Sequence, residues 1–121
     1  MGGVKGLEAL VDALRSVGGR RDVCAALHGV LFPIEAYDER THSGLVPTLR
    51  TFVALGGNVH ATAEALFLHR NSVGFRLHRI EALTGIDPRD QHARLALTAA
   101  FAIADPRILQ SLDDERIDDE E

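Results

Sequence analysis

The sequence predicts an all-α fold, a small helical bundle of about five to six helices that contains a helix-turn-helix. Three observations carry that expectation. Apolar residues recur at helical spacing in every long segment, no stretch alternates apolar and polar residues as a half-buried strand would, and glycine, proline or a capping side chain separates the segments. With 121 residues, 45% of them hydrophobic, the chain can build one core but not two.

The first segment, VKGLEALVDALRSV, places Val4, Leu7, Leu10, Val11, Leu14 and Val17 along one face, and Gly18-Gly19 stops it. Residues 1–20 are therefore expected to form an N-terminal amphipathic helix. A second pattern runs from about Arg21 through Val23, Leu27, Val30 and Leu31 to Pro33. Proline lacks the N–H and its ring crowds the preceding turn, which predicts a break or a new first turn there. EAYDERTHSG then has the polar composition of a connection. A third helix is expected from about Leu45, with Val46, Leu49, Phe52, Val53 and Leu55 inward and Pro47 tolerated in the opening turn, until Gly56-Gly57.

Asn58 is an N-cap for the short, Ala-rich segment VHATAEAL. The next helix starts near Arg70 and continues to Thr84, with Gly85 in the C-cap position. Only Phe67, Leu68 and His69 separate the two. So short a connection makes them cross steeply, and residues 58–84 read as a helix-turn-helix. At 100° per residue Val73, Leu77 and Ile80 share the core face with Thr84 beside them. Asn71, Phe75, His78, Arg79 and Ala82 lie opposite, Ser72 and Gly74 flank them, and Arg76 sits near the core boundary. A last helix begins at Asp87 or Asp90 and carries Leu95, Leu97, Ala100, Phe101 and Ile103 to Asp105-Pro106, closing a domain over residues 21–105.

The net charge of -5 argues against a nucleic-acid partner until it is located. Residues 105–121 hold eight acids against Arg107 and Arg116, whereas the rest of the chain is nearly neutral. Residues 106–121 read as an acidic, disordered tail, too poor in apolar surface to offset its ordering entropy. The cations collect instead in FLHRNSVGFRLHRIE, residues 67–81, with three arginines and two histidines. An isolated basic helix is most simply a solvated surface. Behind a short partner helix, the same side chains are presented to a major groove.

No catalytic constellation is present. His60, His69 and His78 are spaced by nine, which does not put two ligands on one helical face, so neither a metal site nor a cofactor is expected. Cys24, between Val23 and Ala25, reads as a core thiol, and a single cysteine excludes an internal disulfide. No apolar run reaches the roughly 18 residues of a membrane span, and a cytoplasmic protein is expected.

The run GGNVHATAEALFLHRNSVGFRLHRIEALTGID resembles the C-terminal helix-turn-helix domain of the PucR (purine catabolism regulator) family of bacterial transcription regulators, itself related to the Fis-type DNA-binding domain. The resemblance extends upstream through LFPIEAYDERTHSGLVPTLRTFVALGGN and downstream through DPRDQHARLALTAAFAI, about residues 23–104. It implies a module that binds double-stranded DNA and that in the family sits behind a larger sensory region, not expected within these residues. A homodimer is the expected state, since half-site recognition usually requires two copies. Two positions depart from the family: Gly74 stands where a long polar residue is common, and Phe75 where tyrosine is usual.

Arg70 matches the family's arginine and is the candidate for guanine O6/N7, with a structural or phosphate contact as the competing role. Asn71 is a candidate for adenine or for local capping, and Ser72 for a phosphate or capping hydroxyl. Arg76 and Arg79 suit phosphates. Phe75 fits a thymine methyl or a neighbouring helix. Asn58 caps, and the N–H groups of Val59, His60 and Ala61, joined by Thr62, form a candidate phosphate site. His69 and His78 complete the expected interface. The alternative is a helical interaction or dimerisation module that keeps the scaffold without binding DNA, with Leu7, Val11 and Leu14 as its partner face.

Overall fold

The computed structural model describes residues 2–15 and 19–104, with side chains from Gly6 onward in the first segment. The expected acidic tail, and the stop at Gly18, lie outside the described residues. Six helices follow in order: α1 (Gly2–Arg15), α2 (Arg20–Thr41), α3 (Leu45–Ala54), α4 (Val59–Leu66), α5 (Arg70–Thr84) and α6 (Gln91–Ala104). The fold is all-α. α2 packs against α1, α3, α5 and α6, so it joins a group made with α1 and α6 to a second group in which α3, α4 and α5 pack on one another.

One core runs through both groups. Leu10, Val23, Leu27, Val30, Ile34, Leu45, Leu49, Phe52, Val73, Leu77, Ile80, Leu97 and Phe101 are all buried in it. Three expected core residues are not. Leu55, Leu95 and Ile103 are exposed, and α6 instead buries Ala93, Ala96, Leu97, Ala100 and Phe101. Alanines on that face let α6 approach closely, and the larger side chains are left outside. Cys24 is half-buried rather than a core thiol.

The largest departure from the sequence reading is α2. It continues through Pro33 to Thr41, so the expected connection EAYDERTHSG is helical over most of its length. A mid-helix proline costs about 3 kcal/mol. Against it stand the burial of Ile34, worth about 1.5–3 kcal/mol, and the contacts of Asp38. The two oxygens of Asp38 accept hydrogen bonds from the N–H groups of Leu45 and Val46, each at 2.8 Å. Charged hydrogen bonds of this kind contribute about 1.5–3 kcal/mol each. Asp38 thus caps α3 from the preceding helix, where Gly44, the residue at the cap position, has no side chain to do so.

The turn between α2 and α3 is closed on both sides. His42 adopts a left-handed conformation and its N–H reaches the Asp38 carbonyl at 2.7 Å. Thr48, fully buried, donates its hydroxyl to the Gly44 carbonyl at 2.7 Å. At the other end of α3, Gly57 has φ +80° and passes so close to Arg94 that a Cβ there would lie 2.7 Å from Nη1. α6 begins where Asp90 accepts from the Ala93 N–H at 2.9 Å, the later of the two expected starts.

Because Asp38 serves two donors at once, Asp38→Ala is expected to lower unfolding stability by about 1–3 kcal/mol. Asp38→Asn, which keeps one acceptor, is expected to lose less. Urea unfolding followed by far-UV circular dichroism reads both; an alanine variant as stable as the parent would contradict the cap.

Candidate nucleic-acid interface

α4 and α5 are separated by Phe67, Leu68 and His69 alone. Each helix end at this corner has its backbone groups satisfied locally. The Leu68 N–H bonds the Ala63 carbonyl at 2.9 Å and the Phe67 N–H bonds the Glu64 carbonyl at 3.3 Å, the paired closure of a Schellman motif. That motif needs a left-handed residue, usually glycine, and here Phe67 supplies it at φ 56°. A bulky residue in that region costs about 1–2 kcal/mol. Its ring is 94% exposed, so core packing does not repay that cost.

His69 then starts α5. Its Nδ1 accepts from the Asn71 N–H at 3.0 Å, and its carbonyl takes the N–H groups of Ser72 and Val73. As an acceptor Nδ1 carries no proton, which leaves Nε2 to donate outward. Since His69 is the cap, Asn71 is released from that alternative role and its side chain is exposed.

Along α5 the core face is as the spacing predicts: Val73, Leu77, Ile80 and Thr84 are buried. Arg70, Asn71, Ser72, Phe75, His78 and Ala82 are exposed on the other side, with Phe75 at 65%. Arg79 is half-buried, its guanidinium 5.6 Å from the Phe75 ring centroid and 5.8 Å from that of Tyr37. Hence α5 divides cleanly into an apolar anchor and an open polar face.

Two candidates fall elsewhere. Thr62 is fully buried and its hydroxyl donates to the Asn58 carbonyl at 2.7 Å, so it cannot meet a ligand outside the fold. Arg76 turns back to α3, where Nη1 donates to Thr48 Oγ1 at 3.1 Å and to the Gly44 carbonyl at 3.4 Å. It ties two helices together. At the start of α4 the Asn58 side chain accepts from Ala61 at 3.0 Å, which removes one of the three N–H groups expected for a phosphate and leaves those of Val59 and His60. Asn58 and His60 are themselves exposed.

The far end of α5 is fixed by charge. Arg89 contacts Glu81 at 3.3 Å and Asp87 at 3.0 Å. Burial pushes the Asp87 carboxyl up, but backbone and side-chain hydrogen bonds from Arg89, its positive charge and that of His78 outweigh this and hold it below the usual carboxylate range. The hydrogen bond to Asp87 raises the Arg89 guanidinium in turn, against a smaller opposing effect of burial. Among the described residues no group of His, Cys, Asp and Glu could hold a metal ion, and no helix is long and apolar enough to cross a membrane.

Tyr37, Arg40 and Phe67 border this surface and were not among the expected site residues. Tyr37 and Arg40 were hidden by ending α2 at Pro33, although Ile34 and Tyr37 continue its helical spacing. Phe67 had a weaker signal, an aromatic residue where a helix end usually has glycine.

The different duties of the arginines predict different stabilities. Arg76→Ala is expected to lower the midpoint of thermal unfolding, with a loss of about 1–2 kcal/mol from the broken helix–helix link. Arg70→Ala, on the open face, is expected to stay within about 0.5 kcal/mol of the parent. Equal losses would contradict the assignment of Arg76 to the scaffold.

Comparison with known proteins agrees with this geometry. Residues 45–103 match the PucR C-terminal helix-turn-helix domain. An uncharacterized protein from the pkwA 5′ region of Thermomonospora curvata is 34% identical over 95 residues, 78% of this chain and 52% of that protein. The carbohydrate diacid regulator of Escherichia coli is 45% identical over 47 residues, covering 39% of this chain and 12% of the regulator. The DNA-binding transcriptional activator AdeR of Bacillus subtilis is 30% identical over 67 residues, 55% of this chain and 16% of AdeR. The chain thus spans about half the length of the first of these relatives and a small part of the two regulators. No solved structure matches it significantly. Over residues 45–103, the chain carries the PucR C-terminal helix-turn-helix domain.

Proposed function

We propose that this chain is a sequence-specific DNA-binding module of a transcription regulator, which lays the N-terminal part of α5 in the major groove of duplex DNA and works in the cytoplasm as a homodimer. The observation that carries the reading is the polar face of α5. Arg70, Asn71, Ser72 and His78 are exposed, on a helix whose other side is locked into the core. Arg70 and Asn71 stand in the first turn, the part of a recognition helix that meets base edges. Arginine can pair with guanine through two hydrogen bonds and asparagine with adenine.

The remaining residues divide by position. Asn58, His60, His69 and Ser72 lie near the starts of α4 and α5, where N–H groups and hydroxyls suit backbone phosphates. Arg79 flanks the groove face and adds affinity without sequence information. Phe75 offers an apolar ring to a thymine methyl. A dimer doubles the recognised length, because each copy would read one half-site about one helical turn from the next. The two similar regulators, a carbohydrate diacid regulator and a DNA-binding transcriptional activator, support the same reading.

The test is duplex binding by the folded chain as salt is raised. Affinity is expected to fall linearly on a log–log scale as phosphate contacts release counterions. A helical, folded protein with no duplex affinity at low salt would overturn the proposal in favour of an interaction module. On a site selected from random duplexes, Arg70→Ala is expected to cost about 1–3 kcal/mol and relax one base position, while Arg79→Ala weakens all sequences alike. Identical behaviour of the two variants would remove base readout from Arg70.

A further inference from the structure

The Tyr37 ring is shared by two cations. The Arg40 guanidinium carbon is 5.5 Å from its centroid and that of Arg79 is 5.8 Å, and Arg79 also stands 5.6 Å from Phe75. Four side chains from α2 and α5 thus form a ladder of alternating arginine and aromatic groups where the two helices pack. Among the described residues neither arginine has a carboxylate partner.

The sequence accounts for that. A side chain on a helix meets those three and four residues away. For Arg40, near the end of α2 at Thr41, these are Ala36 and Tyr37, and for Arg79 they are Phe75, Arg76, Ala82 and Leu83, without one acid. The nearby carboxylates are committed or offset. Asp38 holds the start of α3, Glu81 holds Arg89, and Glu39 is the immediate neighbour of Arg40, about 100° away around the helix. Two like charges on one ring repel each other, and the partial burial of Arg79 weakens the solvent screening that would relieve them. The aromatic faces hold the guanidiniums in place, but only an anion neutralises them.

We infer that Arg40 and Arg79, which share the Tyr37 ring, form a clamp for two neighbouring phosphodiester groups, one to each arginine, of the DNA strand bordering the groove that α5 enters. This rests on the duplex-binding reading above and adds to it a contact from α2, outside the helix-turn-helix. Guanidinium suits the task because its planar donors match phosphate oxygens in pairs. The ladder leaves the first turn of α5 free: Arg79 is nine residues beyond Arg70, about 13 Å along the axis, so the clamp grips backbone beside the bases that Arg70 faces.

The test uses the full chain and a short mixed-sequence duplex, with affinity measured across a salt series. Arg40→Gln is expected to weaken binding to all sequences by about three- to tenfold and to reduce the salt slope by about one per bound chain. Arg40→Lys, which keeps the charge, is expected to retain the slope. Arg21→Gln removes the same charge from the exposed opposite end of α2 and is expected to leave slope and affinity as in the parent. Parent-like binding by Arg40→Gln overturns the clamp while leaving duplex recognition standing. An equal effect of Arg21→Gln also overturns it, since net charge would then act from anywhere on the surface. A parent chain with no salt-dependent affinity overturns the duplex reading and the clamp with it.

Discussion

A three-residue corner, Phe67 to His69, decides how this molecule presents itself. Two helices joined by so few residues must turn sharply, and their facing ends must find partners for backbone groups that neither helix can satisfy alone. Phe67 enters the left-handed region so that Leu68 and Phe67 can close α4, and His69 spends its Nδ1 and its carbonyl on opening α5. Once the corner is set, Val73, Leu77, Ile80 and Thr84 have one way to reach the core, and the polar side of α5 faces out.

The rest of the chain supports that corner from behind. α3 lies under both helices and is itself held by Asp38 from α2 and by Arg76 from α5. Gly44 stands at the meeting point: a Cβ there would come within 2.8 Å of Arg76 Nη1, and its φ of +69° would strain any larger residue. Such close contact means that a shift of α5 would disturb the start of α3, so the open face belongs to a rigid unit rather than to a pendant helix.

Local chemistry was legible in the sequence wherever one residue type settles a question. Asn58 and Gly85 mark helix ends because few alternatives satisfy the same backbone groups, and the buried stripe of α5 follows from spacing alone. Positions decided by a distant partner were not legible. Pro33 argues for a break in any local window, and it takes the burial of Ile34 and Asp38 reaching α3 across the turn to make the longer helix favourable. Leu95 and Ile103 fit a helical period but lose their places to alanines that allow closer packing. Thr62 and Arg76 are polar and stand in the right region, yet each meets an oxygen within the fold.

Five arginines near this surface illustrate how one side chain serves separate ends. Arg89 ties Glu81 to Asp87, Arg76 braces α3, Arg79 shares the Tyr37 ring with Arg40, and Arg70 has no such engagement. An acidic total charge hides this, because what a duplex meets is a local face. The central claim is that the outward side of α5 is that face. Backbone amide shifts of the labelled chain, followed by nuclear magnetic resonance as duplex DNA is added, address it most directly. The account predicts the largest changes at residues 58–60 and 69–79, with a further cluster around Arg40 and little movement in α1 or α6. Changes concentrated on α1 and α6, with α5 unmoved, would contradict it.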